Sequence, residues 1–193
     1  MQTPNQNYIN QIVKKALKED LSPLGDITTK LLINKKSKAK IIAKQNGVIA
    51  GLNFCKSAFK LMGRETIFTK KIKDGKKVKK GKIVATISAK TRTILSAERT
   101  ALNFLSHASG VATLTDHFVR KSDKKTKICC TRKTTPNLRL LEKYAVKKGG
   151  GFNHRFNLSD EIMIKDNHIS AEKNFKEIIK KAIKTKKNIT VEI

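Results

Sequence analysis

The first half of the chain alternates between hydrophobic patterns typical of helices and of strands. Residues 8–20 have apolar positions at the three- and four-residue spacing of an amphipathic helix. Its predicted buried stripe consists of Ile9, Ile12, Val13, Ala16 and Leu17. Further on, alternation and turn residues predict two short strands within 38–51, a helix over about 53–62, and more strands within 65–89. These elements predict a small α+β domain at the N-terminus.

A long helix is predicted next, over residues 93–120. Its apolar positions step by threes and fours along one face and comprise Ile94, Ala97, Ala101, Phe104, Ala108, Val111, Thr115 and Phe118. Gly110 is a position where this helix could bend, since glycine weakens a helix interior. Arg99 lies on the opposite side from Ala97 and Ala101. It is therefore expected to be either an ordinary solvated arginine or a residue that reaches another subunit.

The second half of the chain alternates between strands and helices. The pattern predicts three strands and two intervening helices, at residues 126–130, 138–148, 161–165, 171–187 and 188–193. Strand centres that recur roughly every 30 residues are typical of βαβ units and of a parallel sheet or barrel. We therefore expect an α/β protein with two domains, a small α+β sandwich over 1–108 and an incomplete, open α/β barrel over 109–193.

Charged residues are predicted to meet at the carboxyl ends of these strands. Arg132 and Lys133 follow the first strand, and Lys165 closes the second. Glu192 lies on the third strand. In a barrel, reacting residues gather where strands end and the following loops begin. The pattern alone therefore predicts that these four side chains share one site.

The cations of this region suit a small anionic ligand. Around a triple-glycine turn, the segment 131–168 contains Arg132, Lys133, His154, Arg155 and Lys165. The planar fork of arginine pairs a carboxylate or phosphate through two hydrogen bonds, and lysine adds a point charge. We expect a site for a substrate that carries several negative charges. A structural alternative pairs Arg155 and Lys165 with neighbouring aspartates and makes the histidine a core or capping residue.

The composition adds a strong positive charge. The 193 residues carry a formal net charge of +28, with 30% charged and 38% hydrophobic residues. A surface of this kind attracts phosphate backbones, so nucleic-acid binding is an alternative function. However, the lysines are spread along the chain, tryptophan is absent and aromatic residues make up only 5%. Since base stacking needs aromatic side chains, the composition disfavours a nucleic-acid partner.

The sequence carries no pattern for export or membrane insertion. Its apolar runs fall short of the about 20 residues that span a bilayer, and residues 1–20 lack the layout of a signal peptide. Cys55, Cys129 and Cys130 form an odd set without CxxC spacing, which favours reduced structural thiols over a disulfide or a metal site. We expect a cytoplasmic protein without a metal site of its own.

Four separated blocks carry a family resemblance. They are KEDLSPLGDITT at 18–29, SAERTALNFLSHASGVATLT at 96–115, TRKT followed by LxxLxKYAVxxGGGxNHR within 131–155, and IKDNH at 164–168. In this order and at these separations they resemble the quinolinate phosphoribosyltransferases, the carboxylating nicotinate-nucleotide pyrophosphorylases of NAD biosynthesis. The blocks span nearly the whole chain. The resemblance implies a barrel of the type II phosphoribosyltransferase kind.

The resemblance also implies how the chain binds its first substrate. Position by position, the residues that resemble the binders of the quinolinate carboxylates are Arg132, His154, Arg155 and Lys165. Thr131 and Lys133 resemble substrate and phosphate contacts. Arg99, in SAERT, resembles the arginine that one subunit inserts into its neighbour's site, which implies a homodimer.

The implied reaction joins quinolinate to phosphoribosyl pyrophosphate and releases pyrophosphate and carbon dioxide, leaving nicotinate mononucleotide. Lys133, Lys165 and Glu192 are the expected catalytic residues. Glu192 resembles the acidic residue near the ribose hydroxyls and the magnesium–pyrophosphate unit, so Mg²⁺ is expected to arrive with that substrate. Family members continue beyond position 193, so strand 188–193 is expected to be an unpaired barrel edge. A truncated, inactive remnant of the enzyme is the second hypothesis.

Overall fold

The chain has a mixed α/β fold, as the sequence predicts. The computed structural model describes residues 3–123, 125–172, 174–185 and 191–192, with residue 185 and the last pair described by their backbone only. The helices are α1 (Gln6–Leu21), α2 (Leu52–Met62), α3 (Thr91–Lys121), α4 (Arg139–Lys148), α5 (Asp166–Ala171) and α6 (Phe175–Thr185). The strands are β1 (Lys36–Ile42), β2 (Gly47–Val48), β3 (Ile67–Lys70), β4 (Lys77–Val78), β5 (Ile83–Lys90), β6 (Cys129–Cys130), β7 (Phe152–Asn153), β8 (Ile162–Met163) and β9 (Val191–Glu192). Among the helices of these segments, none is long and apolar enough to cross a membrane.

The N-terminal half is built on an antiparallel sheet. Its strand order is β1-β5-β3, and β2 pairs with β4 beside it. Strand β1 alternates, so that Lys36, Lys38 and Lys40 are exposed while the residues between them are half-buried. Because successive side chains of a strand point to opposite faces, the lysines stay in water while the other face packs on the core. Ile87 of β5 and Phe54 of α2 are buried in that core.

Helix α1 packs as its hydrophobic stripe predicts. Ile9, Val13 and Leu17 are buried, and the other two stripe residues are half-buried against the same core. The helix begins where the side chain of Asn5 accepts a hydrogen bond from the backbone N–H of Tyr8, an N-cap that satisfies an otherwise unpaired donor. The predicted helix and its buried face are therefore confirmed.

Helix α3 runs through the centre of the molecule and continues without interruption past Gly110. Its predicted stripe is buried from Ile94 to Thr115 except for the half-buried Val111, and Phe118 is 53% exposed. A seven-residue repeat drifts by about 20° per heptad on a straight helix. The stripe therefore rotates away from the core along the helix, so that Ala112 is buried and Phe118 turns outward.

The C-terminal half contains parallel strand pairs, as expected for βαβ units. Strand β6 pairs with β7, and β8 pairs with β9, both in parallel. The sequence patterns missed β7 and the short helix α5, because two-residue strands and a six-residue helix without buried residues leave no hydrophobic period. The predicted strand at 188–193 is described only at Val191 and Glu192, which pair with β8; the rest of that prediction lies outside the described residues.

Candidate anion-binding site

The first two cation-bearing segments, which follow β6 and β7, begin side by side. In the β6–β7 register Cys130 faces Asn153, so Thr131 and His154 are the next residues along two neighbouring parallel strands. Such strands lie about 4.8 Å apart. The thiol of Cys130 also donates to Oδ1 of Asn153 at 3.3 Å, which holds the two strand ends together. The pairing therefore places the TRKT and NHR segments next to each other at the carboxyl edge.

Arg132 is half-buried at the beginning of the loop after β6, and its Nε atom is buried. Among the described residues this Nε has no hydrogen-bond partner. The loop turns tightly here, because the N–H of Lys133 donates to Oγ1 of Thr131 at 3.1 Å and that of Thr134 donates to the Arg132 carbonyl at 2.9 Å. Both Thr131 and Lys133 are exposed. A buried guanidinium nitrogen without an acceptor is costly, so it favours an anionic ligand at this position.

Arg155 follows β7 and is only 8% exposed. Its Nη1 donates to the carbonyl of Glu161 at 3.0 Å, and its Nη2 contacts Sδ of Met163 at 3.3 Å. The side chain therefore bridges β7 to β8. Both acceptors are uncharged, so the guanidinium keeps its full positive charge in a partly dehydrated place, where electrostatic attraction is stronger than in water.

His154 lies between two other site residues. Its Nδ1 accepts a hydrogen bond from the backbone N–H of Arg155 at 2.8 Å and lies 3.3 Å from Oε2 of Glu161. A ring nitrogen that accepts a hydrogen bond carries no proton. An ion pair between Nδ1 of His154 and Glu161 would therefore require a protonated ring that no longer accepts the hydrogen bond from Arg155. Glu161 is an acidic neighbour of the site that the sequence interpretation did not include.

The structural alternative for the cations is not what the described residues show. Asp160 accepts backbone hydrogen bonds from Phe156 and Asn157, at 2.7 and 3.4 Å, instead of pairing with Arg155. Within the described ranges, no carboxylate forms an ion pair with Arg132, Lys133, Arg155 or Lys165. Among the side chains that the structure describes, none therefore neutralises these positive charges through an ion pair.

Lys165 is exposed and lies at the N-cap of α5, two residues after β8. Its backbone N–H donates to Nδ1 of His168 at 2.9 Å, so this histidine orients the loop. Glu192 pairs through its backbone with Met163 in the β8–β9 ladder. The side chain of Glu192, and with it the expected catalytic role, lies outside the described residues.

Arg99 lies apart from these strand ends in the chain, on α3 in the N-terminal half. It is exposed, whereas Ala97 and Ala101 are fully buried. The side chain therefore points away from the core of its own chain, as the helical pattern predicts. Whether it reaches a neighbouring subunit stays a prediction.

Three cavities of the molecule, of about 430, 500 and 700 Å³, lie elsewhere and are lined by residues of the N-terminal half and by the beginning of α4. None of these three is lined by the cations of the 131–168 segment. In the part of the chain that the structure describes, no three side chains of His, Cys, Asp or Glu are grouped so that they could hold a metal ion.

Comparisons with known proteins identify the family to which the chain is similar. The family description "Quinolinate phosphoribosyl transferase, N-terminal domain" matches residues 26–109, and that of the C-terminal domain matches 111–193. A Bacillus subtilis protein named "Probable nicotinate-nucleotide pyrophosphorylase (carboxylating)" is 42% identical over 180 residues, which cover 92% of this chain and 62% of that protein. A Methanocaldococcus jannaschii protein of the same name is 42% identical over 195 residues, covering 97% of this chain and 67% of its own length.

Solved structures indicate the same family. The crystal structure of NadC from Streptococcus pyogenes superimposes with a TM-score of 0.91 at 41% identity, covering 98% of this chain and 70% of that one. The chain thus spans about two thirds of the length of the relatives that it matches. Since both domain descriptions match in sequence order and relatives above 40% identity share its fold, the chain belongs to the quinolinate phosphoribosyltransferase family.

Proposed function

We propose that this chain binds quinolinate and takes part in its conversion, with phosphoribosyl pyrophosphate, to nicotinate mononucleotide, pyrophosphate and carbon dioxide. The observation that carries the proposal is the group of unneutralised cations at the ends of β6, β7 and β8. Quinolinate has two adjacent carboxylates, and its partner substrate has a phosphate and a pyrophosphate. We further propose a cytoplasmic homodimer, with the exposed Arg99 of one subunit reaching the site of the other.

The cations divide naturally between the two carboxylates. Arg132 and Arg155 present guanidinium groups from neighbouring strands, and each can form two parallel hydrogen bonds with a carboxylate. Lys165 adds charge beside them, and His154 adds an imidazole ring next to Arg155. The buried Nε of Arg132, for which the described residues provide no acceptor, would receive one from the ligand. Holding the ring by both carboxylates orients the pyridine nitrogen, which is the atom that must react.

The chemical step would be catalysed by position and charge. The pyridine nitrogen attacks the anomeric carbon of the ribose as pyrophosphate departs, through a transition state with positive charge on the sugar. Lys133 and Lys165 stabilise the negative charge of the leaving group, together with the Mg²⁺ that the pyrophosphate carries. Glu192 would stabilise the positive charge on the sugar. Once the ring nitrogen is ribosylated and cationic, it stabilises the carbanion that remains when the neighbouring carboxylate leaves as carbon dioxide.

Calorimetric titration with quinolinate tests the binding part of this proposal. We expect the chain to bind quinolinate and Arg132→Ala to weaken binding by about 2–5 kcal/mol, the usual effect of removing one partner of a desolvated charge pair. Arg64→Ala, which removes an exposed arginine of the N-terminal half, is the matched control and should bind as the unaltered chain does. Equal affinity of all three proteins would refute the carboxylate clamp.

The catalytic part is tested separately, by following release of pyrophosphate and carbon dioxide with Mg²⁺ and phosphoribosyl pyrophosphate present. Turnover that is lost in Lys133→Ala, with quinolinate still bound, supports the assigned role of this lysine. Binding of quinolinate without turnover would restrict the function of this chain to ligand binding.

A further inference from the structure

Glu142 and Lys143 are adjacent residues of α4 with opposite charges, and both are buried. Glu142 is 9% exposed and Lys143 is 0% exposed. Charged side chains are almost never fully buried unless they are paired, because removal from water is costly. The hydrogen bonds of these two side chains therefore indicate their role in the fold.

The carboxylate of Glu142 joins three parts of the fold. Both of its oxygens accept from the backbone N–H of Thr135, at 3.3 and 3.2 Å, and Oε1 lies 2.8 Å from Nε2 of His107 on α3. Thr135 belongs to the short loop between β6 and α4, two residues after Lys133. Glu142 therefore holds the backbone of the loop between β6 and α4 (the TRKT loop, residues 131–138) against both α3 and α4.

The ammonium group of Lys143 acts on the two neighbouring strand ends. Its Nζ donates to Sγ of Cys130 at 3.0 Å and to the carbonyl of His154 at 2.9 Å. Cys130 is the last residue of β6, and His154 is the first residue after β7. Among the described residues, Lys143 has no carboxylate partner. It therefore fixes the ends of both strands.

We propose that Glu142 and Lys143 are positioning residues for the cations that bind the substrate carboxylates. Glu142 sets the loop that carries Arg132, and Lys143 sets the strand ends that carry His154 and Arg155. A binding site requires its groups within about 0.5 Å of their productive positions, and such accuracy depends on supporting contacts of this kind. This inference rests on the proposed quinolinate binding.

The test compares Glu142→Gln and Lys143→Met, which keep the side-chain size, by calorimetric titration with quinolinate. Lys147→Met is the control, because Lys147 is an exposed lysine on the same helix. We expect both buried variants to bind about 10- to 100-fold more weakly, the effect that outer-shell residues have on metal sites, and the control to bind normally. If the unaltered chain binds no quinolinate, the proposed function fails. If it binds, and both buried variants bind equally well, the positioning role is overturned.

A second measurement separates positioning from simple loss of folding. Each variant is titrated with quinolinate and with nicotinate, its analogue with a single carboxylate, at a temperature where circular dichroism shows it folded. Displaced cations should weaken the binding of quinolinate more than the binding of nicotinate, so the selectivity for the dicarboxylate should fall. If the affinities for both ligands decrease by the same factor, and this factor matches the fraction of unfolded protein, the role of the residue is purely structural and the proposal is overturned.

Discussion

Gly149→Ala should destabilise the fold, because helix α3 passes directly against the glycine run that precedes β7. A Cβ at position 149 would overlap the carbonyl oxygen of Ala112 and would lie 2.7 Å from Cβ of Thr115. Gly149 has a φ of −81°, a value that alanine adopts without strain. The effect of the substitution is therefore steric and does not arise from backbone conformation.

The magnitude follows from what the new methyl group meets. Extra atoms in a packed interior typically cost about 1–3 kcal/mol. The atom overlapped here belongs to the backbone of α3 and cannot rotate away as a side chain could. We therefore expect a loss at the upper end, about 3 kcal/mol. In a chain of this size 1 kcal/mol changes Tm by about 2–4 °C, so thermal unfolding followed by circular dichroism should show Tm about 6–12 °C lower.

Two other glycines provide controls with different physical causes. Gly110→Ala lies inside α3 with no atom within 4 Å of the added Cβ, so it should raise stability by about 0.5–1 kcal/mol. Gly150→Ala meets only Val119, at 3.6 Å, but its φ of +88° should cost about 1–2 kcal/mol. Tm should therefore fall in the order Gly110→Ala, unaltered chain, Gly150→Ala, Gly149→Ala. If the Tm of Gly149→Ala is higher than that of Gly150→Ala, the inference that α3 closely approaches this turn is wrong.

Two further predictions concern titratable groups. Burial, with a smaller effect of the Asp74 carboxylate, raises the pKa of the Cys55 thiol to about 12. A thiol reagent near pH 8 should therefore modify the exposed Cys129 in the folded protein and reach Cys55 only after unfolding, as peptide mass spectrometry can show. Hydrogen bonds from the backbone and side chain of Thr29 lower the pKa of the Asp26 carboxyl. A lowered pKa stabilises the fold above the ordinary carboxyl pKa, and this contribution disappears as the pH falls through the folded value. Asp26→Asn should therefore lower Tm near pH 7 and lose this effect in strong acid; a Tm difference that is constant with pH would contradict the assignment.

The N-terminal half was predictable from sequence because its elements are long and one-sided. Helix α1 has a single buried stripe, and β1 alternates along its whole length. The C-terminal half gave a weaker pattern. Strand β7 has two residues and follows three glycines, and α5 buries none of its residues. Such elements exist because of tertiary packing, which a hydrophobic period cannot report.

The candidate site divides in a similar way. The cations were predictable, since Arg132 and Arg155 stand in recognisable motifs at strand ends. Their supports were not, because Glu142 and Lys143 lie on a predicted helix among other charged residues, where a solvated position is the ordinary expectation. Only the fold shows that α4 is enclosed between the TRKT loop and the ends of β6 and β7. The available sequence signal was that Lys143 falls within the LxxLxKYAVxxGGGxNHR block.

The net charge of +28 and the binding site are therefore different properties of this chain. Lysines such as Lys38 stand in water, where the high dielectric constant and salt weaken their attraction for any anion. Arg155 and Lys143 are buried, and the described residues hold them through uncharged acceptors, so that these side chains are fixed in place. Fixed charges in a dehydrated place recognise a rigid dicarboxylate, because they do not have to be reorganised when it binds. The specificity of the proposed site should therefore depend on its own few groups, and surface lysines outside it, such as Lys38, could be replaced without affecting it.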